Sequence, residues 1–109
     1  MRAIKAYVRR IKVEEVVRAL KAVGVPDITV LDVMDIGGET DRSDLRVSAE
    51  LGEEYRRMAK LEIVCKKERA DEIIRTLRES AYTGKPGDGI IYVMTVDRAV
   101  KIRTGRKER

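Results

Sequence analysis

The chain has 109 residues, of which 43% are hydrophobic and 39% charged, with a net charge of +5. That size and balance suit one globular domain with a small core and exclude a disordered chain. The absence of histidine and the single cysteine, Cys65, exclude a Ser-His-Asp triad, an internal disulfide and the usual zinc sites, and no apolar run approaches the ~20 residues of a membrane span.

From the N-terminus, Arg2 to Val8 alternates, with Ile4, Ala6 and Val8 on one side and Ala3, Lys5 and Tyr7 on the other, the period of a strand. Charges at Arg2, Lys5, Arg9 and Arg10 are unlike a signal peptide, so a cytoplasmic protein is expected. From Lys12 the period lengthens. Val13, Val16, Val17, Leu20 and Val23 share a helical face, with Glu14 and Glu15 in the first turn where the helix dipole favours acids. Gly24 ends this helix and Pro26 bars its return. Ile28 to Ile36 reads as a second strand. Residues 37–54 keep no sustained period and hold six acids against two arginines. Such a stretch reads either as a long flexible loop that docks a partner, with Leu45, Arg46, Val47 and Leu51 as contact points, or as a partly paired hairpin.

Tyr55 to Cys65 reads as a third strand, and Cys65 as a buried structural thiol. Residues 67–82 return to helical spacing, with Ala70, Ile73, Ile74, Leu77 and Ala81 in one apolar stripe. Thr83-Gly84-Lys85-Pro86-Gly87-Asp88-Gly89 follows. Its glycines and Lys85 suit a phosphate-binding loop, since consecutive backbone N–H groups form a concave anion site. The same residues also suit a plain helix-to-strand turn, with Gly84 closing the helix and Pro86 stiffening the bend. No Walker motif is present. Ile90 to Val96 is a fourth strand and Ala99 to Arg103 a short fifth, before a basic tail, 104–109, expected to lack order.

The order is β-α-β twice, which predicts an α+β fold, a ferredoxin-like βαββαβ sandwich of one domain over residues 1–109, with the 37–54 loop between strands two and three. Val30, Met34, Ile63 and Ile91 exceed what one helical layer covers, so packing of sheets between copies is expected. The positive charge is concentrated in residues 101–109, with five cations against one glutamate. The four tyrosines are scattered, so the basic face with stacking aromatics of a nucleic-acid binder is absent from the sequence.

Thr83 to Gly89 with Ile91-Tyr92-Val93, then Ile102-Arg103-Thr104-Gly105, resembles the PII signal-transduction family, the small trimeric regulators of nitrogen and carbon metabolism. Ile4 through Gly24 and Lys60-Leu61-Glu62-Ile63-Val64 resemble it too, so the likeness covers essentially the whole chain. It implies a homotrimer with adenine nucleotide bound in clefts between subunits. Gly87, Asp88 and Gly89 match the loop that holds the nucleotide through its backbone, Thr29 and Val64 match adenine-holding positions, and Lys101 and Arg103 match phosphate-reaching cations. Gly37 and Gly38 join this expected set. Lys101 and Arg103, two apart on a strand, would point the same way and clamp a polyphosphate.

The departures from the family carry as much. Where the family has Arg-Gln, this chain has Gly38-Glu39; Met58 replaces a lysine that pairs with 2-oxoglutarate, Ile90 a phosphate-binding lysine, and Leu51 the tyrosine that is uridylylated in enteric members. The resemblance therefore implies a divergent regulator that has lost 2-oxoglutarate sensing and uridylylation and leans from ATP towards ADP or AMP. Magnesium is left open, with Glu39 its weak candidate ligand, and bicarbonate is one possible effector. The expected partner is a transporter or metabolic enzyme with a basic surface that meets the acidic loop. No nucleophile–base pair is visible, so no enzyme is expected, and neither is membrane insertion. Three other readings stand beside this one: a ligand-free trimeric adaptor that kept only the fold, a nucleic-acid binder working through residues 101–109, and a metal-binding trimer like the copper-tolerance proteins, which the lack of histidine opposes.

Overall fold

A computed structural model of the chain describes residues 1–37, 45–48, 50 and 53–108. Strand β1 spans Arg2–Arg9, helix α1 Val13–Ala22, β2 Thr29–Asp35, β3 Leu45–Ser48, β4 Glu53–Cys65, helix α2 Ala70–Ala81, β5 Ile90–Thr95, β6 Ala99–Val100 and β7 Lys107–Glu108. A 3-10 turn leads into each helix, Arg10–Lys12 before α1 and Lys67–Arg69 before α2. The main sheet runs β2-β4-β1-β5, all antiparallel, with β3 added to β4. This is the ferredoxin-like α+β arrangement that the order of elements predicts.

The alternation in β1 does what it predicts. Ile4, Ala6 and Val8 are buried and lie beside Ile63, Leu61 and Ala59 of β4. The helices cover this face with Val16 and Leu20 from α1 and Ala70, Ile73, Leu77 and Ala81 from α2. The end of α1 is closed through its backbone: the Gly24 amide donates to the Lys21 carbonyl at 3.0 Å and the Val25 amide to the Leu20 carbonyl at 3.1 Å. This double bond pattern needs a left-handed residue, which Gly24 supplies at φ +82°, and it seats buried Val25 in the core next to α1's last turn. Arg69, just before α2, donates to the carbonyls of Val23 and Gly24, so the start of one helix caps the end of the other.

On the open face, Lys60 lies 2.9 Å from Glu62 and above the ring of Tyr7, and Tyr7 meets Tyr92 edge-on at 6.1 Å. Apolar side chains share that face: Val64 is 56% exposed, Ile90 51% and Tyr92 50%. The expected surplus of apolar residues is real, but its membership differs. Ile63 is buried under the helices and Ile91 packs against the core, because strand alternation turns them to the covered side.

One open choice is decided and two further expectations are corrected. Leu45–Ser48 pairs with Glu53–Arg56, so the described part of the 37–54 stretch follows the hairpin reading. The fifth strand stops at Val100 and pairs with Lys107–Glu108, which gives the tail regular structure. Gly84 does not close α2: that helix ends at Ala81, Tyr82 is extended, and Gly84 belongs to the loop. Cys65 is half-buried at the edge of the core, where burial pushes its thiol up against the opposing pull of Arg69, the N-terminus and Arg2.

Leu77 is fully buried between α2 and the sheet. Leu77→Ala is expected to cost about 2–5 kcal/mol, the range for truncating a buried leucine, read as a fall in the thermal or denaturant midpoint.

Candidate functional site

Thr83 to Gly89 wraps around one carboxylate. Asp88 accepts from the Thr83 amide at 2.8 Å, the Gly84 amide at 2.9 Å, the Arg9 Nε at 3.1 Å and the Thr83 hydroxyl. Burial alone would raise the Asp88 pKa. The Thr83 hydroxyl and amide, Arg9 and the Gly84 amide outweigh it and hold the carboxyl well below the usual carboxylate range. The side chain thus staples the loop internally.

Two arginines from the sheet hold the loop from below. Arg9, the last residue of β1, donates from Nη2 to the Pro86 carbonyl at 2.9 Å. Arg56 of β4 donates from Nη1 to the Gly87 carbonyl at 2.7 Å and grips Asp35 of β2 through Nε at 2.9 Å and Nη2 at 2.8 Å. Both guanidinium side chains are nearly buried, 8% and 7% exposed. Gly89 then lies flush on β1. It has φ +109°, and a Cβ there would meet the Tyr7 carbonyl oxygen at 1.7 Å. Only glycine allows this approach.

Above this floor is a cavity of about 830 Å³, lined by Asp35, Arg56, Met58, Lys85, the loop from Pro86 to Ile90, and the tyrosines 7, 82 and 92. The size suits a small organic ligand. Met58 and Ile90 give it apolar wall, and Lys85 stands exposed at its rim.

Of the expected nucleotide residues, Gly87, Asp88 and Gly89 line this cavity. Gly37 follows two residues after Asp35. Thr29 and Val64 lie elsewhere: Thr29 pairs with Glu62, and Val64 pairs with Ala3 near the start of β1. Arg56 and Val64 are eight residues apart on one strand, about 26 Å at ~3.3 Å per residue. Lys101 and Arg103 follow β5, whose end is tied to the chain start by the Val96 amide on the Met1 carbonyl at 3.1 Å. They are not on a strand, so the alternating clamp is corrected. The Gly105 amide on the Lys101 carbonyl at 2.8 Å closes a turn between β6 and β7, and both cations are exposed on it. Leu45, Arg46 and Val47 lie on β3, with Arg46 and Val47 exposed. Gly38, Glu39 and Leu51 lie outside the described residues. Among the described residues no group of three or more His, Cys, Asp or Glu is placed to hold a metal ion.

Sequence reasoning missed Arg9, Asp35 and Arg56. Their partners are 79, 21 and 31 residues away, beyond the reach of any local pattern. The signal available was charge at strand positions: antiparallel pairing of β2 and β4 sets Asp35 against Arg56.

A family model described as Nitrogen regulatory protein P-II matches residues 1–106. The chain belongs to the P-II family. It is 36% identical to a Nitrogen regulatory protein P-II of Pasteurella multocida, over 98% of this chain and 96% of that protein. It is 35% identical to one of Rhizobium meliloti, over 96% and 94% of the two chains, and 31% identical to Nitrogen regulatory protein GlnK of Escherichia coli, over 99% and 96%. The P-II likeness thus runs through the loop, the main sheet and β6 alike, and the family match ends just before β7.

Two outcomes are expected. Gly89→Ala forces the loop off β1 and should cost about 3 kcal/mol or more, read from thermal melts. Because folding lowers the Asp88 pKa, its contribution is present above the unfolded value and lost as pH falls. Asp88→Asn should therefore melt below wild type at pH 7, and the gap should narrow below about pH 4, near the unfolded carboxylate pKa.

Proposed function

We propose that this P-II family member is a regulatory homotrimer that binds an adenine nucleotide in the clefts between its subunits and signals to a partner enzyme or transporter through residues 37–54. One observation carries this reading. The two expected halves of the site, Gly87 to Gly89 on one side and Thr29 with Val64 on the other, stand at opposite ends of β4. A single chain cannot close a nucleotide between them, whereas the loop end of one copy set against the far end of another can. The half-exposed apolar residues of the open sheet face supply a reason for copies to assemble.

Within that cleft, Lys101 and Arg103 of the neighbouring copy would meet the phosphates, and Thr29 and Val64 the adenine. Met58 and Ile90 bring apolar wall where the family pattern has lysines. This supports a preference for ADP or AMP over ATP, and the loss of 2-oxoglutarate sensing. Leu51 in place of the modified tyrosine supports the loss of uridylylation. The reading is of a cytoplasmic regulator, not an enzyme, with the acidic 37–54 stretch facing a basic partner surface. The same apolar wall favours a second reading, a trimeric adaptor that binds no nucleotide.

Calorimetric titration with AMP, ADP and ATP, with and without magnesium and 2-oxoglutarate, tests both. The expected result is that ADP or AMP binds at least as tightly as ATP, that 2-oxoglutarate changes nothing, and that Arg103→Ala weakens ADP about tenfold, near the ~1.4 kcal/mol of one charge-assisted contact. Light scattering should give the mass of a trimer. A trimer with no heat for any nucleotide leaves the adaptor.

A further inference from the structure

Asp35 closes β2 and lines the cavity. Arg56 reaches it twice, from Nε at 2.9 Å and from Nη2 at 2.8 Å, and both contacts fall on Oδ2. The other oxygen, Oδ1, takes no hydrogen bond among the described residues. The Asp35 side chain is 40% exposed, against 7% for Arg56. A buried guanidinium thus fixes one carboxylate oxygen and leaves the other to the cavity. An ionised carboxylate only accepts hydrogen bonds, so Oδ1 calls for an N–H or O–H donor.

The surroundings select the donor. The strand order β2-β4-β1-β5 sets Met58 of β4, Tyr7 of β1 and Tyr92 of β5 across the sheet from Asp35, and all of them line the cavity. Met58 is buried, and the Tyr7 ring meets the Tyr92 ring edge-on at 6.1 Å. The floor beyond the carboxylate is therefore apolar and aromatic, a surface on which a flat base lies well. A phosphate is repelled by the Asp35 carboxylate and does not rest against it. The donor that faces Oδ1 belongs to the base.

We infer that Asp35 is a specificity-determining residue whose Oδ1 accepts a hydrogen bond from the exocyclic amine of a bound adenine, with Arg56 the positioning residue that aims it. This rests on the nucleotide reading above and adds the group that separates adenine from a purine without that amine. A site built around a charged acceptor rejects the analogue that leaves the acceptor unpaired.

Calorimetric titration of the full chain tests it with three ligands: ADP, the diphosphate of purine riboside, which lacks only the amine, and 2′-deoxy-ADP. Wild type should bind ADP about tenfold more tightly than the purine riboside diphosphate, and 2′-deoxy-ADP as tightly as ADP. In Asp35→Asn the side-chain oxygen stays with Arg56 and the NH2 turns to the cavity, where donor meets donor. ADP should then fall about tenfold, to the level of the purine riboside diphosphate, whose own affinity should not change. A residue that only answered the charge of Arg56 would weaken both ligands alike, and that result overturns the inference. Where Asp35→Asn fails to fold, Asp35→Glu keeps the charge, moves the carboxylate by one methylene and should erase the preference in the same way. Equal binding of ADP and the purine riboside diphosphate to wild type overturns the inference and leaves nucleotide binding standing. So does a preference that survives in the folded variant. Weakening with 2′-deoxy-ADP alone gives Asp35 to the sugar and overturns its role at the base. No heat for any nucleotide removes the nucleotide reading and this inference together.

Discussion

Strand β4 is the constraint on which everything else hangs. Its thirteen residues hydrogen-bond to β1, β2 and β3, so three of the other four strands of the main sheet take their register from it. At ~3.3 Å per residue it is about 40 Å long, close to the 45 Å long axis of the molecule. A rigid bar of that length fixes what lies at each end. One end carries Arg56, the loop contact and the pairings of Arg56 with Asp35 of β2 and Leu45 of β3. The other carries Val64, close to the start of β1 and the beginning of the β6–β7 hairpin. The chain is a strut with two different ends, and chemistry that needs both ends must be built between molecules.

At the loop end, the stability of the site is a matter of satisfied buried charge. Burying a guanidinium costs several kcal/mol unless its donors are used and its charge is answered. Arg56 meets both conditions with Asp35 and the Gly87 carbonyl, and Arg9 with Asp88 and the Pro86 carbonyl. No buried side-chain nitrogen or oxygen among the described residues lacks a partner. The floor of the cavity is therefore fully hydrogen-bonded, while its rim carries exposed Lys85 and Tyr82.

Much of the fold was legible because it rests on period. The two stripes, Val16 with Leu20 and Ile73 with Leu77, and the alternation of Ile4, Ala6 and Val8 each express one local rule, and all lie where that rule puts them. Gly24 was legible as a stop for the same reason, since its left-handed backbone is a local requirement. The motif from Thr83 to Gly89 was legible as a unit, but its internal logic was not. Asp88 reads as a turn residue, and only the fold brings Arg9 to it. Lys101 and Arg103 were misread because two-residue spacing implies a shared face only on a strand, and a backbone turn removes that premise. β3 was obscured by its length: Leu45 and Val47 alternate with Arg46 and Ser48 over just four residues, too few for a period to stand out.

The strand order has a consequence for how the molecule comes to exist. The chain reads as two β-α-β halves, yet β1 of the first half lies between β4 and β5 of the second, and β2 pairs only with β4. Neither half owns a sheet, and Arg69 at the head of α2 also completes the end of α1. A ribosome that has released the first forty residues has released no structure able to stand alone. The first stable pairing must wait until β4 has emerged and must close a loop of some fifty residues from β1, an entropic barrier that makes folding a single late event. The interleaving that locks the native sheet thus also makes folding all-or-none, with no half-folded domain to accumulate.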